Sequence, residues 1–484
     1  MDKKYILTKC KASGFLLDKE MFKFFSDLDR KSFDFILENI NIFRIKEKIL
    51  TKEIFDKQKD KINHLFYNKC QKNIKILSKL KKNNKKTTDI DFIDFFCQRF
   101  NIIHEIFLSK NIKNLTSIRR LSHCNGNYDI IGMIYNKRIT KNKNLLLEIE
   151  DLGGKTLILV NRENYKLFKR VEKLVVDDIL CFNCSGSSKM LFLNDFIFPG
   201  FSNKAEKFGN IDNNIAFISD LHVGSKLFLE KDLQRFISWV NGEIGSSRSK
   251  KIAKKLKYIV IVGDLVEGVG IFAGQDKFLN IQSYREQYEK LFNLLSEIRK
   301  DVEILICPGL HDAVWDGEVQ SNIAKKWINI DYFGPNFKKI TNPSLVEIAG
   351  LKIFINYGIN SKRFLGKFGK NIGIEGIDEI LKRRSLPIVY SESDFIPEDF
   401  NNFVIPEDLD IFVSGGRHRC EIGYYKNILK ISTSCWCDKS DFEIRNGFEV
   451  DCCRVPVLNL KSKEVKELDF SEKEILLDNK SVLR

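Results

Sequence analysis

Ile218-Ser219-Asp220-Leu221-His222-Val223-Gly224-Ser225 is the stretch on which the reading of this 484-residue chain turns. An apolar strand, residues 215–218, ends in a carboxylate and an imidazole two positions apart, Asp220 and His222. Successive side chains of an extended chain point to opposite sides, so these two leave the strand tip together. The pair alone has an ordinary explanation, because a strand-end Asp often caps the next helix or holds a turn. What decides its meaning is what the other strand ends carry.

Beyond Pro199-Gly200 the pattern alternates strand and helix: strand 215–219, amphipathic helix 231–244, strand 258–262, helix 284–300, strand 302–307. Such alternation argues for a layered α/β domain. Hairpins follow at 345–347 with 352–357 and at 423–426 with 428–433, after a strand at 411–414. In open α/β sheets chemistry gathers at the carboxyl ends of strands. Those ends read Asp220 and His222, Gly263-Asp264, Gly309-Leu310-His311-Asp312, Tyr357-Gly358, and Gly415-Gly416-Arg417-His418. Three of the six histidines in the chain fall in these short motifs, which scattered core histidines would not do. A phosphoesterase that uses two cations about 4 Å apart needs a bridging carboxylate flanked by oxygen and nitrogen donors. Carboxylate and imidazole together suit manganese, iron or zinc.

The ordered set of D-x-H, G-D, G-N-H-D, a lone His and G-H-x-H resembles the calcineurin-like metallophosphoesterase superfamily. More narrowly, residues 263–268 (GDLVEG) running into Gly270-Ile271, with Gly274-Gln275, Gln287-Tyr288, residues 308–314 and Leu381-Lys382-Arg383-Arg384, resemble the small subunit of the archaeal D-family DNA polymerase. The resemblance covers residues 128–460. It implies a 3′-5′ exonuclease site with a first cation held by Asp220, His222, Asp264 and His418, all of them present. It implies a second cation sharing Asp264, at positions here occupied by Leu310, Tyr357 and Gly416. Leucine and glycine bring no side-chain donor and a phenol is a poor neutral ligand, so the losses fall on one site.

Three readings stay open. Hydrolysis is lost, because one cation cannot clamp both the attacking and the leaving oxygen. A one-metal nuclease survives, with His311, held by Asp312, in the catalytic role that its family position implies. Or the first quartet is itself structural, its Asp220 and Asp264 hydrogen-bonded to backbone amides. The cofactor is then one divalent cation, manganese first, or none. Arg417 offers a guanidinium for the place of the second cation.

Upstream, residues 1–110 read as a helical region with a basic linker near 79–88. From residue 126 to 200 five short strands, with one helical insert at 165–174, read as an OB-type β-barrel. Such barrels bind single strands through aromatic and basic side chains, and Lys137, Arg138, Lys141 and Lys143 are available. A barrel serving only subunit contacts is the competing explanation. Residues 210–465 form the phosphoesterase α/β sandwich and 466–484 a tail, giving an α/β multidomain chain.

Composition narrows the classes. A net charge of +15 suits a nucleic-acid partner. Lysine outnumbers arginine 60 to 20, a bias that gene composition alone can produce. The twelve cysteines form no C-x-x-C…C-x-x-C set, and Cys181 and Cys184 lie in a strand pattern as small hydrophobes. No apolar run spans a membrane and no signal peptide opens the chain, so a soluble cytoplasmic protein is expected. No P-loop is found, so nucleotide addition falls to a partner. The resemblance implies the large catalytic subunit and DNA as partners; the sequence itself offers Trp436, Phe442, Cys452 and Cys453 as candidate apolar contacts, with ordinary core as the leading explanation. The expected function is an accessory polymerase subunit with a degenerate site. An active proofreading exonuclease and a free-standing phosphoesterase are the alternatives.

Overall fold

Ile215-Ala216-Phe217-Ile218 and Tyr258 to Val262 are continuous apolar runs, and a strand of that composition is stable only with both faces covered. Both are fully buried strands in the computed structural model, which describes residues 3–14, 16–27, 33, 37, 49–51, 74–78, 87–328, 336–369, 372–397, 399–471 and 475–478. Alternate residues of the two strands serve different cores. Ile215, Phe217, Tyr258, Val260 and Val262 face a second sheet, while Ala216, Ile218, Ile259 and Ile261 face helices.

The first sheet has seven strands. Phe337–Lys339, Glu303–Cys307, Leu256–Val262 and Asn214–Ile218 run parallel in that order, and Arg454–Asn459, Val465–Asp469 and Leu476–Asp478 continue it antiparallel. The second sheet has six, ordered Glu421–Tyr425, Ile428–Ser432, Ile411–Ser414, Leu351–Asn356, Ser344–Ile348 and Ile74–Ile76. Helices Glu230–Val240 and Tyr284–Ser296 cover the outer face of the first sheet with Leu233, Phe236, Leu291 and Phe292. Helix Asp89–Leu108 and helix Gly376–Leu381 cover that of the second, where Phe95 packs edge-on against Phe400 and Phe403.

Upstream of the sandwich stands the expected barrel. Gly126–Ile139, Leu145–Asp151, Gly154–Val160, Met190–Ile197 and Ile179–Ser187 close on themselves in that spatial order, with helix Tyr165–Glu172 between the third and fourth strands in sequence. Cys181 and Cys184 are buried in its wall, the small-hydrophobe role read from their pattern. Barrel and sandwich are joined by a buried ion pair. Arg383 Nε and Nη2 reach the two carboxylate oxygens of Asp178 at 2.7 and 2.8 Å, while Nη1 caps the helix ending at Leu381 through Glu379.

The chain divides into residues 1–73 and 74–484. In the first part, helices Lys3–Ala12 and Lys19–Asp27 are described; most of the rest of the helical region expected there, and residues 79–86 of the expected basic linker, lie outside the described residues. Two expected boundaries move. Helix Asp89–Leu108 belongs with residues 74–484, covering the second sheet with Phe95 and the barrel with Phe100, Ile103 and Phe107. The supposed tail supplies strands at 465–469 and 476–478, so the first sheet ends well inside it. Among the described residues no helix is long and apolar enough to cross a membrane.

Candidate metal centre

Every motif read at a strand end arrives at one edge of the two sheets. Asp220 and His222 follow Asn214–Ile218, Asp264 follows Leu256–Val262, His311 follows Glu303–Cys307, Tyr357 follows Leu351–Asn356, and Gly416 and His418 follow Ile411–Ser414. Asp220, His222, Asp264 and His418 all sit at positive φ, between 48° and 55°. The left-handed turn lifts each side chain off its strand and into the common space.

Asp220 is fully buried. Its Oδ2 accepts from Ser219 Oγ and from the Gly416 amide at 3.0 Å, and its Oδ1 lies 3.3 Å from His418 Nε2. Burial alone would raise its pKa, but His418 outweighs it and holds the carboxyl below the usual range. His418 responds in kind: burial opposes its charging, yet Asp220 lifts the imidazole well above its ordinary value. On its other side, His418 Nδ1 is 2.7 Å from Glu443 Oε1. There too burial pushes the carboxyl up, but His418 wins and brings Glu443 down to about 2. His222 Nδ1 lies 2.9 Å from Glu267 Oε2. Burial again opposes the charge, and Glu267 followed by Asp264 raises His222 to about 9.

Asp264 takes the His311 amide on Oδ1 at 2.9 Å, and its Oδ2 is 3.8 Å from His222 Nε2 and 3.9 Å from His311 Nε2. Both aspartates thus accept a backbone amide, as the structural reading of the quartet expects. The four proposed first-site residues converge pairwise, His418 on Asp220 and His222 on Asp264.

Tyr357 has a larger part than the loss of a ligand suggests. Its hydroxyl lies 2.6 Å from Asp264 Oδ2 and 3.0 Å from Asp220 Oδ1, between the two carboxylates. Burial, then the charges of Asp220 and Asp264, push the phenol well above its ordinary pKa, so it stays neutral and donates. Space for the ring comes from glycines. A Cβ on Gly416 would stand 3.0 Å from Tyr357 Cζ, and one on Gly263 only 2.1 Å from Cδ2. Tyr357 and Gly416 therefore go together, since the ring at 357 needs the bare backbone at 416.

Other expectations are corrected. Arg417 does not take the second-cation place, because its guanidinium donates to the carbonyls of Gly373 and Ile372 and lies 3.6 Å from Glu421. Asp312 does not hold the His311 ring. It accepts from the Gly309 and Leu265 amides and from Tyr288 Oη at 2.8, 3.3 and 3.0 Å, and burial followed by Asp264 raises it to about 7. The ring of His311 is oriented instead by the Glu267 carbonyl, 2.8 Å from Nδ1. Leu310 lies between, without a side-chain donor. In the barrel, Lys137 is committed to the carbonyls of Glu172 and Leu174 at 2.8 and 2.6 Å, leaving Arg138, Lys141 and Lys143 exposed. Trp436 and Cys453 are core residues, Cys452 is half-buried, and Phe442 is exposed.

Glu267, Glu443 and Cys437 are site residues that the sequence reading left without a role. Glu267 stood in the quoted Gly263–Gly268 run. Glu443 is legible only as the partner, three residues on, of a capping box begun by Ser440, which it also completes here.

Residues 214–420 match the model of the calcineurin-like phosphoesterase family. The DNA polymerase II small subunit of Methanothermobacter thermautotrophicus is 32% identical over 388 residues, 79% of this chain and 79% of that protein. The chain belongs to the family of DNA polymerase II small subunits. The small subunit of Archaeoglobus fulgidus is similar at 30% identity over 357 residues, 73% of this chain and 72% of its own length. A solved archaeal phosphodiesterase aligns with 54% of this chain and 99% of its own at 14% identity, but its TM-score of 0.29 carries no weight. Calcineurin-like folds of this kind ordinarily depend on divalent metal, and this small subunit keeps donors for one ion. Among the described residues, donor atoms of His222, Asp264 and His311 lie within 4.8 Å of one another, as do those of His222, His418 and Cys437. Leu310 and Gly416 offer no side-chain donor, and the Tyr357 phenol engages one oxygen of each aspartate.

Proposed function

We propose that this chain is the accessory subunit of a DNA polymerase, that it holds the large catalytic subunit, and that its exonuclease site no longer hydrolyses DNA. The observation that carries this reading is the Tyr357 hydroxyl lodged between Asp220 and Asp264 at 3.0 and 2.6 Å. In a two-metal phosphoesterase one ion aligns and activates the attacking oxygen while the other stabilises the leaving one. A neutral hydroxyl can satisfy two carboxylates, but it supplies neither charge nor an open coordination position. The residues left can bind and orient a phosphate, not clamp an in-line displacement.

Surface chemistry supports the assembly role. Ile93, Tyr135, Leu152 and Tyr390 stand half or more exposed around a groove of about 710 Å³ between helix Asp89–Leu108 and the barrel. Apolar side chains gathered at one groove suit a protein partner better than water. Arg138, Lys141 and Lys143 lie exposed on the same barrel and fit a nucleic-acid backbone.

A second reading rests on His311, whose Nε2 still faces Asp264 while Nδ1 is fixed by a backbone carbonyl. It would serve a slow one-metal nuclease. Both readings meet one assay, manganese-dependent degradation of a mismatched primer end by the two-subunit complex beside an Asp264→Ala control. The accessory reading expects no degradation above the control. Degradation abolished by Asp264→Ala would sink it in favour of the one-metal nuclease.

A further inference from the structure

We infer that His222, His418 and Cys437 form a zinc-type site in which a thiolate replaces one of the hard oxygen ligands, making the remaining ion structural. One donor atom of each residue lies within 4.8 Å of the others, and all three side chains are buried or nearly so. The histidines are prepared for it. His222 Nδ1 is turned to Glu267 and His418 Nδ1 to Glu443, at 2.9 and 2.7 Å. Carboxylates behind imidazoles in this way fix the ring and leave Nε2 as the metal-facing nitrogen. Both ring nitrogens of His222 are buried without a hydrogen-bond partner, Nδ1 facing Glu267 as an ion pair, and a cation at Nε2 would satisfy one of them.

Cys437 reaches this space from the loop after strand Ile428–Ser432, far from the D-x-H motif in sequence. Its backbone is pinned there by a bridge to Phe228, and its carbonyl accepts from the thiols of Cys435 and Cys452 at 3.3 and 3.1 Å. Asp220 does not join the set: its Oδ1 faces His418 Nε2 at 3.3 Å and accepts from the Tyr357 hydroxyl at 3.0 Å. Two imidazoles and a thiolate, with water in a fourth position, make a tetrahedral set that suits zinc. A thiolate ligand selects against magnesium and manganese.

The competing set of His222, Asp264 and His311 shares His222, so one ion can use only one of them. Tyr357 decides between them. Its hydroxyl engages Asp264 Oδ2 at 2.6 Å, the oxygen the hard-donor set would need. Cys437 Sγ is held only by the thiol of Cys435, a weaker partner than a phenol is to a carboxylate. The inference rests on the reading that the second-cation place is filled by Tyr357, and it adds the identity and purpose of the remaining ion. On binding, the Cys437 thiol gives its proton to solvent, and the ion ties the loop carrying Cys437 to the strand ends carrying His222 and His418.

The test is spectroscopic and independent of nuclease activity. Full-length protein is stripped of metal and titrated with cobalt(II). The expected result is one equivalent bound with tetrahedral d–d bands and a thiolate-to-cobalt charge-transfer band. Cys437→Ser should lose that band and weaken zinc binding at least tenfold in chelator competition, while Cys452→Ser keeps both. Absence of the charge-transfer band in the unaltered protein overturns the inference, as does its survival in Cys437→Ser. Should Cys437→Ser fail to fold, zinc-edge X-ray absorption of the unaltered protein decides: one sulfur at about 2.3 Å supports the site and only nitrogen and oxygen scatterers overturn it. A positive exonuclease assay would overturn the accessory reading without changing these spectra, so the two failures are told apart.

Discussion

Asp220, His222, Asp264 and His418 hold left-handed backbone conformations that cost a non-glycine residue of order 1 kcal/mol or more each. Asp and His tolerate that region better than most residues, which is why the strain can be stored here. What keeps two buried carboxylates together at the centre of it is the Tyr357 hydroxyl. Tyr357→Phe removes the shared donor and leaves Asp220 Oδ1 and Asp264 Oδ2 facing each other. The expected cost is about 1–3 kcal/mol, the range for stranding a buried polar group. A divalent cation should recover part of it, because an ion that binds only the folded state stabilises by mass action. Urea unfolding with and without millimolar manganese measures both. Equal manganese stabilisation of the two proteins would show that the hydroxyl does not stand where a cation would bind. The glycine at 416 makes a coupled prediction. Gly416→His should destabilise far more beside Tyr357 than beside Tyr357→His, and additive losses in a double-mutant cycle would refute the packing argument.

Between elements, the most fully buried arginine–carboxylate pair among the described residues is the one joining barrel to sandwich. Arg383 and Asp178 are 7% and 3% exposed, bidentate, and backed by Glu379. A buried pair of this kind is a poor source of net stability, yet breaking it strands a charge and costs about 3–5 kcal/mol. Arg383→Ala should lose that much in denaturant unfolding, and Arg383→Lys should recover little, since an ammonium cannot bond both oxygens in a plane. A loss under 1 kcal/mol for Arg383→Ala would mean that the interface is held by apolar contact instead. This residue shows what was legible in the chain and what was not. Leu381-Lys382-Arg383-Arg384 was visible as a family motif, but its purpose needed Asp178, two hundred residues earlier. The D-x-H pair, by contrast, was readable from strand periodicity alone. A period of two fixes where side chains point without knowledge of any partner.

For the molecule as a whole, the same limit separates what could be read from what could not. The parallel strands, the five-stranded barrel and the gathering of motifs at strand ends follow from local pattern, and each was legible. The seat of the Tyr357 phenol between two carboxylates, the Glu443 and Glu267 supports and the approach of Cys437 depend on distant segments meeting, and no local pattern says which side chains will meet. The partner surface has the same character, because exposed apolar residues are known only once the core is known. Ile93 and Leu152 are 62% and 61% exposed, so replacing both with aspartate should leave folding nearly unchanged, within about 0.5 kcal/mol for each. If the groove they rim seats the large polymerase subunit, two buried negative charges at its centre should weaken the complex at least tenfold, or about 1.4 kcal/mol. Calorimetry of the variant with the large subunit, beside a thermal melt of the variant alone, reads both quantities. Unchanged affinity with an unchanged melt would place the polymerase on another face, and the groove would then lose its claim to be the surface that holds the enzyme together.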